Sequence, residues 1–520
     1  MDNILFIGAS FSTISLLIWL LASSARLNAN PLRAASLGER HGWLAFALTL
    51  LAGAAWLVAG REGVLLSVTR DQWIGLRFDA LSIPLALLIT FLAAIILRFS
   101  KHYLAGEPDH GRFTKWMCAT FGSVIALVMA PGLAQFLVAW IATSLCLHQL
   151  LVFYPARRGT RYSARKKFLV SRISDLLLAI AFSGTYFAFG SQSFEQIFYS
   201  LRAEETVLPS YIPWLIAAAA ILKSVQFPFH TWLPETMGTP TPVSALMHAG
   251  IVNAGGILII TFAPFYQFSD TSAPLHLLAL SGAITAAFGS LVMLSQTSVK
   301  RSLAYSTVAQ MGFMLMQCGL GAFHLALLHI VAHSLYKAHS FLSSGSSVRA
   351  IETRSAPANT EPRTPLKLVA AAAAGFLLSL GLFVALSGGF DSKPGAYVFA
   401  AVLAAALIQL LYQSPTQRPA NGFLSAAAIG SAYLLLTNFA AWWVAPEISV
   451  HTLTSSVFDA TLAGIIFCVF IFTILLQNLS KAARPDSWVS KLYVHAFNGF
   501  YLNTIADRTI RFLRLHPDQA

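Results

Sequence analysis

Charge is scarce in this chain. Only 11% of its 520 residues are Asp, Glu, Lys or Arg, against roughly 25% in a soluble domain. That shortage excludes an ordinary water-soluble globule. Acids are scarcer than bases, 21 against 34. Cysteine is limited to Cys118, Cys146, Cys318 and Cys468, each inside an apolar run and none in a CxxC pair. Such spacing supports no disulfide framework, zinc finger or iron–sulfur cluster; it suits small apolar side chains in helix packing. Also missing is any basic residue ahead of the first apolar run, which continues to Ala22. A cleaved signal peptide has a basic start and a shorter run, so this segment is expected to stay as a transmembrane helix.

What the chain has instead is hydrophobicity, 56% of residues, in blocks of roughly 18–25, the length that crosses a bilayer core of about 30 Å. Examples are "DNILFIGASFSTISLLIWLLAS", "GWLAFALTLLAGAAWLVAG" and "FLSAAAIGSAYLLLTNFAAWWV". The pattern predicts an all-α polytopic membrane protein. About fifteen spans are expected, near 3–22, 42–60, 78–98, 116–130, 132–153, 168–190, 211–229, 241–263, 274–296, 303–319, 321–344, 365–388, 396–413, 421–444 and 457–478.

The net charge of +13 sits in short loops between spans, which points to membrane orientation rather than nucleic acid. The loop "PARRGTRYSARKK" holds six basic residues and no acid, whereas "SQSFEQIFYSLRAEETVLPS" leans acidic. Alternation of this kind predicts an N-terminus facing away from the cytoplasm and a cytoplasmic C-terminus; the expected location is a bacterial cell inner membrane, with the N-terminus periplasmic. The proline-rich "TRSAPANTEPRTP" reads as a flexible cytoplasmic linker. The expected organisation is N-terminal helices over 1–110, a core over 111–350, the linker over 351–365, C-terminal helices over 366–480 and an amphipathic tail over 481–520. The C-terminal spans carry almost no ionisable residues, which suits packing. The aromatic, basic tail suits either the membrane surface or a partner subunit.

An ionisable group inside a span costs about 2.5–3.5 kcal/mol on insertion scales and is a functional suspect. Lys223 lies in the seventh expected span and His248 in the eighth. The eleventh, "FHLALLHIVAHSLYKAHSFL", carries His324, His329, His333, Lys337 and His339. His329, His333 and Lys337 recur at i, i+4 and i+8, on one helix face. Arg172 and Asp175 are three apart and can pair. This is the composition of a proton wire, which needs groups that give and take protons reversibly near neutrality. Pro228, Pro234, Pro240 and Pro242 predict a helix break next to Lys223, and broken helices at membrane depth line polar cavities. Plainer alternatives stand beside this reading. Lys223 could be a static partner of an acid, and the histidine stripe could be interhelical hydrogen-bond glue. His329 and His333 make half of a helical zinc motif but lack its glutamate and a third ligand. His230 and Glu235 read as a loop contact.

"KSVQFPFHTWLPETMGTPTPVSALMHAG", "VKRSLAYSTVAQMGFM", "FLVSRISDLLLA", "HIVAHSLYKAHSFL" and, more loosely, "RFDALSIPLALLITF" together resemble the antiporter-like, proton-conducting membrane subunits. That family includes the large membrane subunits of respiratory complex I and the A and D subunits of multisubunit cation/proton antiporters. The resemblance covers roughly residues 77–350 and implies an inverted-repeat helix bundle with at least one broken helix. It implies that Lys223 is the central lysine and that His248, His329, His333, Lys337 and Lys300 are further relay positions. Ile141 stands where the family carries a glutamate paired with that lysine; His148 is the nearest ionisable residue in that span. The back part is short, and "SGGFDSKPG", with Lys393, is a degenerate match to the family's distal lysine region.

"HAGIVNAGGILI" and "YVHAFNGFY" resemble most the branch formed by the B subunits of the DAB inorganic-carbon accumulation system. That likeness implies a membrane subunit that conducts protons or another cation and is not itself an enzyme. It implies a large, zinc-containing, carbonic-anhydrase-like cytoplasmic partner, and no cofactor or metal in this chain. The other readings are a subunit of a complex I-like oxidoreductase or of a sodium/proton antiporter, and a non-conducting scaffold for a soluble enzyme.

Overall fold

The computed structural model describes residues 11, 13–61, 63–67, 73–346, 365–387, 394–414, 419–448, 457–481 and 487–512. The expected linker over 351–365 lies almost wholly outside them, as do Lys393 and the start of the first expected span. Among the described residues the regular elements are helices and one antiparallel hairpin, with an isolated bridge between Gly132 and Ser193. In order it forms α1 (Ser24–Ala29), α2 (Pro31–Val58), β1 (Val64–Ser67), β2 (Gly75–Phe78), α3 (Ser82–Tyr103), α4 (His110–Val128), α5 (Leu133–Leu151), α6 (Arg158–Phe189) and α7 (Phe194–Arg202). Then follow α8 (Tyr211–Lys223), α9 (Trp232–Glu235), α10 (Thr241–Ala249), α11 (Ala254–Thr261), α12 (Ala263–Gln267), α13 (Ala273–Ser295), α14 (Val299–Gly319) and α15 (Phe323–Leu342). The back part is α16 (Pro365–Ser387), α17 (Pro394–Gln413), α18 (Pro419–Val444) and α19 (Val457–Lys481), and the tail is α20 (Trp488–Phe497) and α21 (Leu502–Phe512).

Among the described residues, eight helices are long and apolar enough to cross a membrane, and three shorter apolar helices accompany them. The protein is a multi-pass membrane protein. The eight do not reach the fifteen spans read from hydropathy, in part because the polar residues that make α14 and α15 interesting also lower their apolar character.

Local chemistry explains the element ends. The "RFDALS" stretch closes the hairpin and opens α3: Asp79 Oδ1 accepts from the backbone N–H of Leu81 at 3.0 Å and of Ser82 at 2.6 Å. Ser82 Oγ in turn accepts from the N–H of Asp79 at 2.9 Å. These contacts satisfy donors that a helix N-terminus leaves open, and Arg77 Nε neutralises Asp79 at 2.8 Å. Helices α13 and α14 pack through glycine. A methyl group on Gly312 would come within 2.5 Å of the Ala286 nitrogen and 2.6 Å of the Gly282 oxygen, so only hydrogen lets these backbones approach so closely.

The main core runs from α2 through α15. Helices α16, α17 and α18 enclose a smaller cluster of their own around Leu403 and Leu407. The back part also packs into the main core through Phe399, Val444 and Ile466, and polar contacts tie it to the front, Arg202 donating to the Glu447 carbonyl at 3.0 Å among them. Arg61, just past α2, stacks over Trp442 at 4.1 Å and Trp443 at 5.0 Å, and the Trp443 indole N–H donates to the Ala80 carbonyl at 2.7 Å. At α19, Asp459 Oδ1 lies 2.8 Å from His276 Nε2 of α13.

The tail folds back onto the core. Gln296 donates to the Phe497 carbonyl at 3.1 Å and Tyr493 to the Ser295 carbonyl at 3.2 Å. Asp507 of α21 pairs with Lys166 of α6.

Candidate functional site

Lys223 is the last residue of α8. The span expected over 211–229 therefore stops earlier than its hydropathy suggested, after about 20 Å of helix. Past the C-cap Ser224 the backbone turns out of the helix at Val225. Its φ is +49°, a conformation that a β-branched residue rarely adopts and that costs about 1–3 kcal/mol. Of the four prolines expected to break the helix, Pro228 lies in the loop, Pro234 in the short α9, and Pro240 and Pro242 at the start of α10. At α10 they stop the chain from continuing one helix but suit the opening of the next. A second break follows at Ile251–Asn253, a single tight turn between α10 and α11. No proline marks it, and the sequence reading did not find it.

Both half-helices end on a basic residue, α8 on Lys223 and α10 beside His248. A helix C-terminus carries partial negative charge, so each end favours a cation at that depth. The broken backbone is sewn together by side chains. Ser224 Oγ donates to the Val252 carbonyl at 2.8 Å and accepts from the Gly255 N–H at 3.0 Å. Asn253 donates to Ser334 Oγ of α15 at 2.9 Å.

The structure gives Lys223 an acid from an unexpected direction. Its Nζ lies 3.3 Å from Asp175 Oδ1, both side chains under a tenth exposed. Asp175 also pairs with Arg172 at 2.6 Å. The face of Trp140 covers the ammonium at 4.4 Å from the ring centre. Ile141 is partly buried against the hydrophobic core. The carboxylate absent from α5 is thus supplied by α6. The sequence had Asp175 pairing within its own helix, which it does, but did not have it reaching Lys223.

A second group of polar side chains lies beyond the break. His248 Nδ1 is 3.0 Å from Thr307 Oγ1 of α14, and its ring stacks on Phe341 at 4.3 Å. His333 lies against the backbone of His248, and the His329 and His333 rings are 5.8 Å apart. Lys337 is fully buried and donates to Ser306 Oγ at 2.7 Å and to the Leu303 carbonyl at 3.3 Å. Lys300 donates to Thr241 Oγ1 at 3.0 Å, at the open end of α10. The Nε2 atoms of His248, His329 and His333 have no protein partner. Buried polar atoms of this kind are commonly satisfied by water.

The remaining site residues lie elsewhere. His148 is half-buried against Phe168 at 5.3 Å, two helical turns along α5 from Trp140 and out of contact with Lys223. His324 is buried towards the other end of α15. His230 and Glu235 lie in the connection after Lys223. Glu235 accepts from Lys166 at 2.8 Å, and burial pushes its carboxyl up despite that partner. The sequence reading missed Lys167, whose Nζ donates to both the carbonyl and the Oγ of Ser144 at 2.7 Å, with 3% of the residue exposed. It had been read as loop. The signal available was helical spacing: Lys167, Ser171 and Asp175 fall at i, i+4 and i+8.

The family model described as NADH:quinone oxidoreductase/Mrp antiporter, transmembrane region, matches residues 130–417. A second, for the N-terminus of NADH-ubiquinone oxidoreductase (complex I) chain 5, matches residues 71–114. A probable inorganic carbon transporter subunit DabB2 of Halothiobacillus neapolitanus is 36% identical over 90% of this chain and 88% of its own length. A probable DabB subunit of Hydrogenovibrio crunogenus is 40% identical over 66% of this chain and 65% of its own. The chloroplastic NAD(P)H-quinone oxidoreductase subunit 5 of Adiantum capillus-veneris is 35% identical over 54% of this chain and 39% of its own. Among solved structures, the Mrp complex from Dietzia sp. superposes with a TM-score of 0.60 over 98% of this chain and 60% of that one, at 23% identity. That likeness establishes the antiporter-like fold.

Proposed function

The chain belongs to the NADH:quinone oxidoreductase/Mrp antiporter transmembrane family, and from that premise we propose that it is the ion-conducting membrane subunit of an energy-coupled inorganic-carbon uptake complex. The ion is a proton or another cation. Its flow drives hydration of CO2 to bicarbonate on a large cytoplasmic, carbonic-anhydrase-like partner, and the zinc for that chemistry belongs to the partner. The complex sits in the cell inner membrane, with the N-terminus of this chain periplasmic and its C-terminus cytoplasmic. Similarity to probable inorganic carbon transporter subunits over most of the chain supports this reading. It also suits the scarcity of acids, since the hydration step needs none here.

One observation carries the conduction claim: buried basic groups stand at both helix breaks, Lys223 at the first and His248 at the second, with His333 and Lys337 buried on α15 beside the second. Structural glue would need no such placement. Lys223 holds a proton between Asp175 and Trp140. His248, His333 and His329 pass protons through imidazole nitrogens that no protein group occupies, and Lys337 and Lys300 connect that path to the end of the bundle where α10 begins. One charge moving through 100 mV supplies about 2.3 kcal/mol, a useful bias on a hydration equilibrium.

The test is replacement of Lys223 or His333 by Ala in a strain that depends on this system for growth at low CO2. Rescue should be lost while the membrane complex still assembles with its partner. Full rescue by both variants would remove the conduction claim and leave the scaffold reading. Copurification separates the branches: a large zinc-binding protein is expected, and NADH dehydrogenase subunits or several small antiporter subunits would place the chain in one of the other complexes.

A further inference from the structure

We propose that Lys167 is the residue through which Lys223 exchanges protons with the cytoplasmic side, so that a lysine stands in the chain of transfer where an acid on α5 would otherwise serve. The inference rests on the conduction reading and adds a residue and a route to it.

The geometry is a polar seam between α5 and α6. On α6, Lys167, Ser171 and Asp175 are buried at successive turns. On α5, Trp140 and Ser144 are one turn apart, and both are buried. Lys167 is held at the level of Ser144 by two hydrogen bonds, and Lys223 at the level of Trp140. These two levels are about 6 Å apart along α5. Helix α6 has 32 residues, about 48 Å, which is longer than a bilayer core of about 30 Å. Lys167 therefore sits near one boundary of the core and Asp175 about 12 Å deeper. An ammonium has three donors, and the Ser144 bonds use two, leaving one free to lead along the seam.

The charges make the arrangement exchangeable. The groups acting on Lys167 are Lys223 of α8, Arg172 and Asp175 of its own helix, and Cys146 of α5. His148 of α5 lies in the field of Lys167 and Arg165, and Glu235 of α9 is engaged with the neighbouring Lys166. Arg172 stays protonated and shares Asp175 with Lys223. The Lys167 and Lys223 ammoniums act on one another across the seam, and like charges disfavour each other, so the seam favours one mobile proton over two. In the transfer, an N–H bond of Lys167 breaks and an N–H bond forms on Lys223, with the Ser144 hydroxyl and water handing the proton on. No other bond changes, and the reverse step restores Lys167. At the cytoplasmic mouth, the carboxylates of Glu235 and Asp507 around Lys166 gather protons for the seam.

The experiment uses the full chain in its complex, reconstituted in liposomes with a pH-sensitive dye inside and an imposed potential. Lys167→Met and Lys167→Arg should each lower proton flux by about 100-fold or more; Arg keeps the charge and the Ser144 bonds but does not release its proton. Lys167→His should restore flux, with its pH profile displaced to lower pH. A purely structural lysine gives the opposite order, with Arg active and His inactive, and that order overturns the proposal. Wild-type flux in Lys167→Met overturns it as well, while loss of flux in Lys223→Ala leaves the conduction reading standing. A wild-type complex that conducts no protons removes both.

Discussion

The pairing of Lys223 with Asp175 makes the sharpest quantitative claim. Asp175→Asn keeps the size of the side chain and removes its charge, leaving Lys223 and Arg172 side by side without a carboxylate. At 3.3 Å and an effective dielectric of about 20, the lost attraction to Lys223 is about 5 kcal/mol. Breaking one member of a buried pair costs about 3–5 kcal/mol in comparable sites. Converted at about 1.4 kcal/mol per tenfold, this lowers the proton affinity of Lys223 by roughly 100- to 1,000-fold or more. Proton flux in liposomes should fall by that order, while Asp175→Glu, which keeps the charge, should retain a measurable fraction. Thermal melting in detergent separates this from unfolding, because the Glu variant should melt close to wild type and still show an altered flux. If Asp175→Asn conducts at the wild-type rate with an unchanged pH profile, Lys223 does not depend on Asp175, and the account of how this chain manages with Ile141 is wrong.

Two further outcomes test the packing that holds the site. Gly312→Ala forces a methyl group against the backbone of Ala286 and Gly282 and should cost about 1–3 kcal/mol, read as a lower melting temperature. Flux should fall with it, because α13 also carries Thr285, whose hydroxyl accepts from the Phe227 N–H at 3.0 Å, just past Lys223; an unaltered melting curve would contradict the close approach. Asp459→Asn weakens the 2.8 Å contact with His276 and should lower stability by about 1–3 kcal/mol with little effect on flux. A large loss of flux at unchanged stability would instead place α19 within the conducting path.

Much of this protein was legible before any coordinates. Block length and low charge required a multi-span helical chain, since lipid cannot satisfy exposed backbone. The cost of burying a charge singled out Lys223, His248, His333 and Lys337, and the prolines marked the first break. Those properties are local: they depend on which residues follow one another and on the solvent around them. The partner of Lys223 was not local. Asp175 reaches it across a helix interface, and a sequence records the spacing within a helix but not which faces meet. Lys167 was hidden for a related reason. Its run of basic neighbours reads as a loop, and only the length of α6 and the small Ser144 opposite it bury the amine. The second break, at Ile251–Asn253, carries no proline, and Asn253, Ser224 and Ser334 hold it through bonds to other helices. The sequence thus determined that ionisable groups lie inside the membrane-spanning helices and which residue types they are. The tertiary packing decided which groups share a counter-charge, because burial and pairing are properties of neighbours in space.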